Sequence, residues 1–443
     1  MGHLRTTDNN CGYCSLETKQ SEDLTRIANR NLSELEKENP NLLILPFSFD
    51  RSEDKIGNEF LFSINSENKL TSNNLMGFIG INETQLAISS RFYPNNNDYF
   101  LHYMLQKVFS INLLDLKFET KEENIWDIFL LYLFPYYLKK AINQGMYKEY
   151  VRKNHNDANL KGAIDINRHI KENIPFKGTV AYRTREYTFD NRMTQLIRHA
   201  QEFIKSRGYS FVLNNDKETR EGHNLININT PSYNKLNRKK VVQNNYRNLN
   251  HQYFTEYETL RKICLQILRR DGLSYGEREK NKVYGIVFDG AWLWEEFVNT
   301  YLGKKGFIHP TNKNGKNPIY LFEHNTYPRF PDFYNERIVL DAKYKHLNYV
   351  DKDDMHQIIS YMYILKSQKG GFVYPIKISL HNQIINIGVL NGYAGNVYLY
   401  GVGVPSDCNN FNELRNAIDT NINNVISVLN ETNHVSSTLE TRL

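Results

Sequence analysis

Two acids and a lysine stand close together in the segment Tyr327-Pro328-Arg329-Phe330-Pro331-Asp332-Phe333-Tyr334-Asn335-Glu336-Arg337-Ile338-Val339-Leu340-Asp341-Ala342-Lys343-Tyr344-Lys345. Ile338, Val339 and Leu340 predict a strand, and because strand side chains alternate faces, Asp341 and Lys343 project from the same one. A turn at Asn335-Glu336-Arg337 folds the preceding segment back, which brings Asp332 beside Asp341. Two carboxylates with water and a phosphate oxygen suit Mg²⁺, a hard ion that keeps several waters. Such a metal neutralises charge on a scissile phosphate and helps produce hydroxide, while Lys343 orients the attacking water or stabilises the developing charge. The chemistry expected is phosphodiester hydrolysis, with Asp332 and Asp341 as metal ligands.

Two further residues join by helical spacing. Glu295, in Trp292-Leu293-Trp294-Glu295-Glu296-Phe297-Val298, lies on an amphipathic helix and would complete the metal's surroundings, with Glu296 as its fallback; the bland alternative is a solvated helix face. Gln357 and Tyr361 are four apart and share a helix face, where they would hydrogen-bond the DNA backbone or brace the lysine. Tyr361 serves equally well as core packing. Against the whole set stands the reading of Asp341 and Lys343 as a plain ion pair, since an uncompensated charge beside apolar strand residues is costly.

Other motifs are weaker. Cys11-Gly12-Tyr13-Cys14 has the spacing of half a zinc site, but Cys264 and Cys408 are isolated, so no structural zinc is expected. His356 has no second ligand nearby and reads as solvated. Lys235, Arg238, Lys239, Lys240 and Arg247, with Tyr233 and Tyr246, either track DNA phosphates or form a solvated face.

The elements that must position these residues come from a chain of 443 residues, 40% hydrophobic and 23% charged, which excludes wholesale disorder and predicts two or three domains. Its formal charge of +6 permits a polyanionic partner without proving one. Four cysteines and a polar, charged beginning point to a reducing, cytoplasmic setting rather than a secreted scaffold. The apolar stretch from Ile125 to Leu138 is interrupted by Asp127 and Pro135 and falls short of the roughly 20 residues that cross a bilayer. Residues 16 to 39 read as one exposed, charge-laced helix. Short apolar runs from 42 to 92 predict antiparallel strands, and helices follow over 99–149, 193–205 and 256–269. Residues 214–250 read as a solvated loop or hairpin. After Val283 come helices over 292–302 and 355–365 and strands near 372–374 and 376–380, an alternation that argues for a central mixed sheet. The expectation is a mixed α/β multidomain protein. Residues 1–120 form a β-rich interaction module, 121–280 a mainly helical middle, and 281–443 the domain that holds the chemistry.

Pro331-Asp332, Asp341-x-Lys343 and Gln357-x-x-x-Tyr361 resemble the PD-(D/E)xK nuclease signature in its variant with a downstream Gln and Tyr. More narrowly, Leu293 to Val298, Val339 to Lys345 and Asp354 to Tyr361 resemble McrC, the nuclease subunit of McrBC-type restriction systems. The middle of that family is matched by Gly162-Ala163-Ile164-Asp165-Ile166 and by Arg185 to Asn191 leading into Gln195-Leu196-Ile197-Arg198, and the stretch from Gly77 to Arg91 is similar, less specifically. The resemblance covers about residue 75 to about 380. It implies a restriction-endonuclease-like C-terminal domain that cleaves double-stranded DNA with Mg²⁺. It also implies a separate GTP-hydrolysing AAA+ ring of the McrB kind, contacted through the N-terminal module. A Gly-x-x-x-x-Gly-Lys-Ser/Thr loop is missing, since Gly401-Val402-Gly403-Val404 lacks the lysine, so nucleotide chemistry is expected from that partner. The rival expectations are a stand-alone repair or recombination nuclease of the same fold, and a DNA-binding adaptor that no longer cleaves.

Overall fold

The apolar runs near the N-terminus become strands because each can bury most of its side chains. Leu42–Leu45 is buried at every residue and runs parallel to Val283–Asp289, whose other edge takes Leu75–Ile81 antiparallel. Thr84–Ser89 and then Gly2–Thr7 complete a five-stranded mixed sheet. The computed structural model describes residues 2–10, 14–39, 42–46, 60–82, 84–93, 98–110, 125–214, 216–249, 251–273, 283–310, 317–347, 349–377 and 383–430. Residues 1–116 and 279–443 make one compact unit and residues 117–278 another. The chain therefore groups differently from three consecutive segments, because Val283–Asp289 is an inner strand of the sheet built by residues 2–89.

The expected single exposed helix over 16–39 is two short ones, Thr18–Thr25 and Leu32–Glu38. Between them Asn29 takes a positive φ of 57°, which ends helical propagation. Leu24, Ile27, Leu32 and Leu35 are buried against Leu42, Leu75 and Ile79, so this segment is part of the core rather than a solvated surface.

The second five-stranded sheet of this unit carries the carboxylates. Its order is Phe333–Tyr334, Ile338–Ala342, Lys369–Lys377, Asn396–Val404, Gln383–Val389, with the three inner strands parallel and both edges antiparallel. The two strands expected near 372–380 are one, Lys369–Lys377, and residues 378–382 lie outside the described residues. Pro375 suggests a break because it lacks an N–H, yet it is tolerated: pairing with Ile338–Ala342 stops at Val373, so no ladder partner waits on that side. The helix Lys352–Leu365 covers one face, with Ile358, Tyr361 and Met362 against Val339, Phe372 and Tyr374. The helix Gly290–Leu302 is fastened to the same sheet by Trp294, whose Nε1 donates to the Val373 carbonyl at 3.1 Å.

In the other unit the helices Ile125–Asn143, Arg192–Ser206 and Thr255–Leu273 are present as the periodicity predicts. Residues 214–250, expected as loop, contain Lys217–Ile228, capped by the Asp216 side chain on the Thr219 N–H, and Arg238–Asn244. The middle also holds a sheet that was not foreseen, Glu149–Asp157 paired with Val180–Thr188 and the short Ala163–Ile164. Its strands are polar on both faces, which erases the apolar alternation that marks a strand. No helix among the described residues is long and apolar enough to cross a membrane.

Candidate active site

The antiparallel pairing of Phe333 with Leu340 and Tyr334 with Val339, continued by one residue, sets Asp332 opposite Asp341. The turn is held by Asn335, whose side chain accepts the N–H groups of Arg337 and Ile338. Asp332 Oδ2 accepts the Ala342 N–H at 2.6 Å, which pins its carboxyl against the end of the next strand. Asp341 is 3% exposed at the C-terminal end of that strand. Lys343 leaves the same face and meets it, Nζ to Oδ2 at 2.8 Å, while its N–H donates to the Val373 carbonyl at 2.9 Å. The buried Asp341 Oδ2 thus has the Lys343 ammonium as its ionic partner.

The helix Lys352–Leu365 supplies a residue to which sequence reasoning gave no role. Asp354 bridges two lysines, Oδ1 lying 3.0 Å from Lys343 Nζ and Oδ2 2.6 Å from Lys345 Nζ, and Asp351 holds Lys345 a second time at 2.6 Å. Gln357 donates to the Tyr361 hydroxyl at 2.8 Å, and that hydroxyl donates to the Phe330 carbonyl at 3.4 Å, so the pair braces the segment leading into Asp332. Tyr361 itself is buried in the core. Glu295 faces Asp332 closely enough for its charge to bear on it. His309, also unforeseen, has its Nδ1 2.7 Å from the Asp332 carbonyl, which places the proton on Nδ1, and its Nε2 lies 3.8 Å from Glu295 and 3.9 Å from Glu296.

The electrostatics follow from this crowding. Burial, then the Asp341 and Glu295 carboxylates, push Asp332 well above the usual carboxylate range. Burial likewise raises Asp341, against the pull of Lys343. Burial works against the charge of Lys343, but Asp341 and Asp354 outweigh it and hold the ammonium above its ordinary value. Lys343 is therefore a fixed cation and a donor, not a base. Burial pushes the Tyr361 hydroxyl up to about 12.

Among the described residues no three His, Cys, Asp or Glu side chains converge on one point as a metal-holding group. The pair Asp332 and Asp341 nevertheless fits a hard divalent cation, which binds through one or two carboxylates and takes its remaining oxygens from water and phosphate. Two buried carboxyls, both lifted chiefly by burial and Asp332 further by the charges of Asp341 and Glu295, are what such a charge would relieve.

The remaining sequence candidates fall elsewhere. His356 is exposed, Cys14 is half-buried and Cys11 lies outside the described residues. In the basic run Arg238 packs over the Phe203 ring and donates to the Leu268 carbonyl, while Lys239 and Lys240 are exposed.

No curated protein matches the chain. Among solved structures it is similar to a chain of the Thermococcus gammatolerans assembly of McrB AAA+ hexamers with bound McrC, at 16% identity and a TM-score of 0.47, covering 94% of this chain and 99% of that one. It is also similar to a chain of the Thermococcus gammatolerans McrBC complex, at 14% identity and a TM-score of 0.33, covering 68% of this chain and 87% of that one. Residues 70–375, which span the hairpin of Asp332 and Asp341 and the helix of Asp354, match the model of the McrBC 5-methylcytosine restriction system component, and the chain belongs to that family.

Proposed function

We propose that this restriction-system component is its nuclease, hydrolysing phosphodiester bonds of double-stranded DNA and working with a separate GTP-hydrolysing AAA+ ring. The observation that carries the reading is the meeting of Asp332, Asp341 and Lys343 at one strand end, with Asp354 fixing the lysine from a second element. Mg²⁺ held by Asp332 and Asp341, with Glu295 in support, would supply a Lewis acid for the phosphate and a more acidic water. The chain's own residues do the rest. Lys343, locked as a cation, donates to a phosphate oxygen or to the water that attacks phosphorus, and so favours the charge that grows as the ester P–O bond breaks. Gln357 and Tyr361 brace the segment leading into Asp332.

The partner is inferred from the family, as a ring that supplies nucleotide hydrolysis the chain's own motifs lack. Its contact is better sought on residues 117–278 than on the N-terminal module. Residues 1–116 are woven into the sheet of Val283–Asp289, whereas 117–278 form a unit with Ile166, Ile170, Ile174 and Phe176 exposed.

Asp341→Asn tests the site. If it holds the metal, Mg²⁺-dependent cleavage by the chain with its ring falls by about 10²-fold or more while thermal melting stays near native. If Asp341 is instead one half of a buried ion pair, removing its charge lowers stability by about 3–5 kcal/mol. Lowered melting with cleavage retained at low temperature would overturn the assignment.

A further inference from the structure

After the helix Gly290–Leu302 the chain turns back toward the sheet and is fastened twice on the way. The Phe307 N–H donates to the Leu302 carbonyl at 3.3 Å, and the Phe307 ring is buried. The next residue adds a rung to the hairpin of Asp332: the Ile308 N–H donates to the Tyr334 carbonyl at 2.7 Å, and the Ile308 carbonyl accepts the Tyr334 N–H at 3.0 Å. His309 follows, its side chain 11% exposed and its ring stacked on Phe333 with centroids 5.0 Å apart.

That ring reaches both carboxylate-bearing elements. Nδ1 is 2.7 Å from the Asp332 carbonyl, and Nε2 lies 3.8 Å from Glu295 and 3.9 Å from Glu296, close enough for a charge to act and too far for a hydrogen bond. Glu295 and Asp332 carry like charge, and each acts on the other across the gap between helix and hairpin. The two elements therefore need a fastening that leaves the Asp332 carboxyl to its own partners. His309 is one, because it grips Asp332 by the main chain. Residues that orient ligands from behind in this way tune metal affinity without being ligands themselves.

We propose that His309 is a positioning residue that sets Glu295 against Asp332 and, through that spacing, the affinity of the site for a divalent cation. The inference rests on the reading of Asp332 and Asp341 as metal ligands and adds a residue that acts through them.

The test is Mn²⁺ binding to the full chain without DNA, followed in the cold by the electron paramagnetic resonance signal of the free ion. His309→Ala is expected to weaken binding about tenfold or more, the loss typical of residues that orient ligands. The Mg²⁺ concentration for half-maximal cleavage by the chain with its ring should rise by the same factor. His309→Asn keeps a donor for the Asp332 carbonyl but is too short for the glutamates, so it should melt as the native chain does and still lose most of that affinity. In a Glu295→Gln background His309→Ala should add less than about twofold, because the residue it positions is already disabled. Native Mn²⁺ affinity in either His309 variant, whatever its melting temperature, overturns the proposal. So does a loss that multiplies in full with that of Glu295→Gln. Binding that Asp341→Asn abolishes and His309→Ala leaves intact overturns the role of His309 alone, whereas no binding by the native chain, or binding untouched by Asp341→Asn, overturns the metal reading and this proposal with it.

Discussion

Lys343 is gripped from two directions, by Asp341 on its own strand and by Asp354 on the helix that crosses the sheet. The first contact was legible, because alternation along Ile338–Leu340 requires it; the second depends on how helix Lys352–Leu365 docks, and no spacing encodes that. His309 was hidden for the same reason, since its partners Asp332 and Glu295 lie on other elements. The grip makes Asp354 a positioning residue. Asp354→Ala should leave Lys343 with one carboxylate and Lys345 with Asp351, reducing kcat by about tenfold or more with KM for DNA little changed. A change confined to KM would place Asp354 in DNA binding instead. Asp8 shows a residue-scale effect of another kind. Burial lifts its carboxyl to about 6, although Arg91 stands 3.2 Å away and its N–H donates to Oδ1. The folded state thus binds a proton more tightly than the unfolded chain. The contribution favours folding fully below about pH 4 and is lost as pH rises through about 6, by about 3 kcal/mol in all. Asp8→Asn keeps the acceptor and removes the titration, so its melting temperature should gain on the native chain's between pH 4 and pH 7. Parallel profiles would show that Asp8 does not titrate in that window.

Elements were legible where apolar residues alternate or cluster, as in Leu42–Leu45 and Leu75–Ile81, and illegible where a strand is polar on both faces, as in Glu149–Asp157. What no local pattern showed is that Val283–Asp289 belongs to the first sheet. Its glycine explains how it fits. Gly285 takes φ +156° and Gly77, on the neighbouring strand, φ +139°, and a Cβ on either would lie about 2 Å from a backbone oxygen of the other strand, 2.1 Å from Phe78 O and 2.2 Å from Ile286 O. The strands are that close only because both positions lack a side chain. Gly285→Ala should therefore cost about 1–3 kcal/mol, measured by denaturant unfolding. Gly208, with φ +86° but open space around it, should cost less as alanine, since only the backbone term applies. Equal losses at the two positions would mean that strand approach is not what Gly285 secures.

At the scale of the molecule, the unit that holds the carboxylates closes on itself although its two segments are separated by 162 residues of sequence, Lys117–Arg278. The helix Tyr99–Phe109 meets Gly290–Leu302, with Tyr103 and Phe297 ring centroids 5.5 Å apart. Tyr103, Tyr301 and Lys107 converge on Asp419 of the helix Phe411–Asn430, tying three helices together. Tyr344, beside Lys343 in sequence, hydrogen-bonds Ser90 at 2.6 Å and packs under the Arg91 guanidinium, so the first sheet and the Asp-x-Lys segment support each other. Deleting residues 1–116 should consequently unfold the carboxylate site, since it removes four of the five strands around Val283–Asp289. Replacing 117–278 by a Gly/Ser linker should not, because residues 1–116 and 279–443 make one compact unit by themselves. The expected outcome for that internal deletion is a single cooperative melt with native far-UV circular dichroism, together with loss of ring binding and GTPase stimulation. Should it fold and still stimulate the ring as the full chain does, the partner contact lies in the carboxylate-bearing unit after all. Should it fail to fold while the 1–116 deletion melts normally, the division into these two units is wrong.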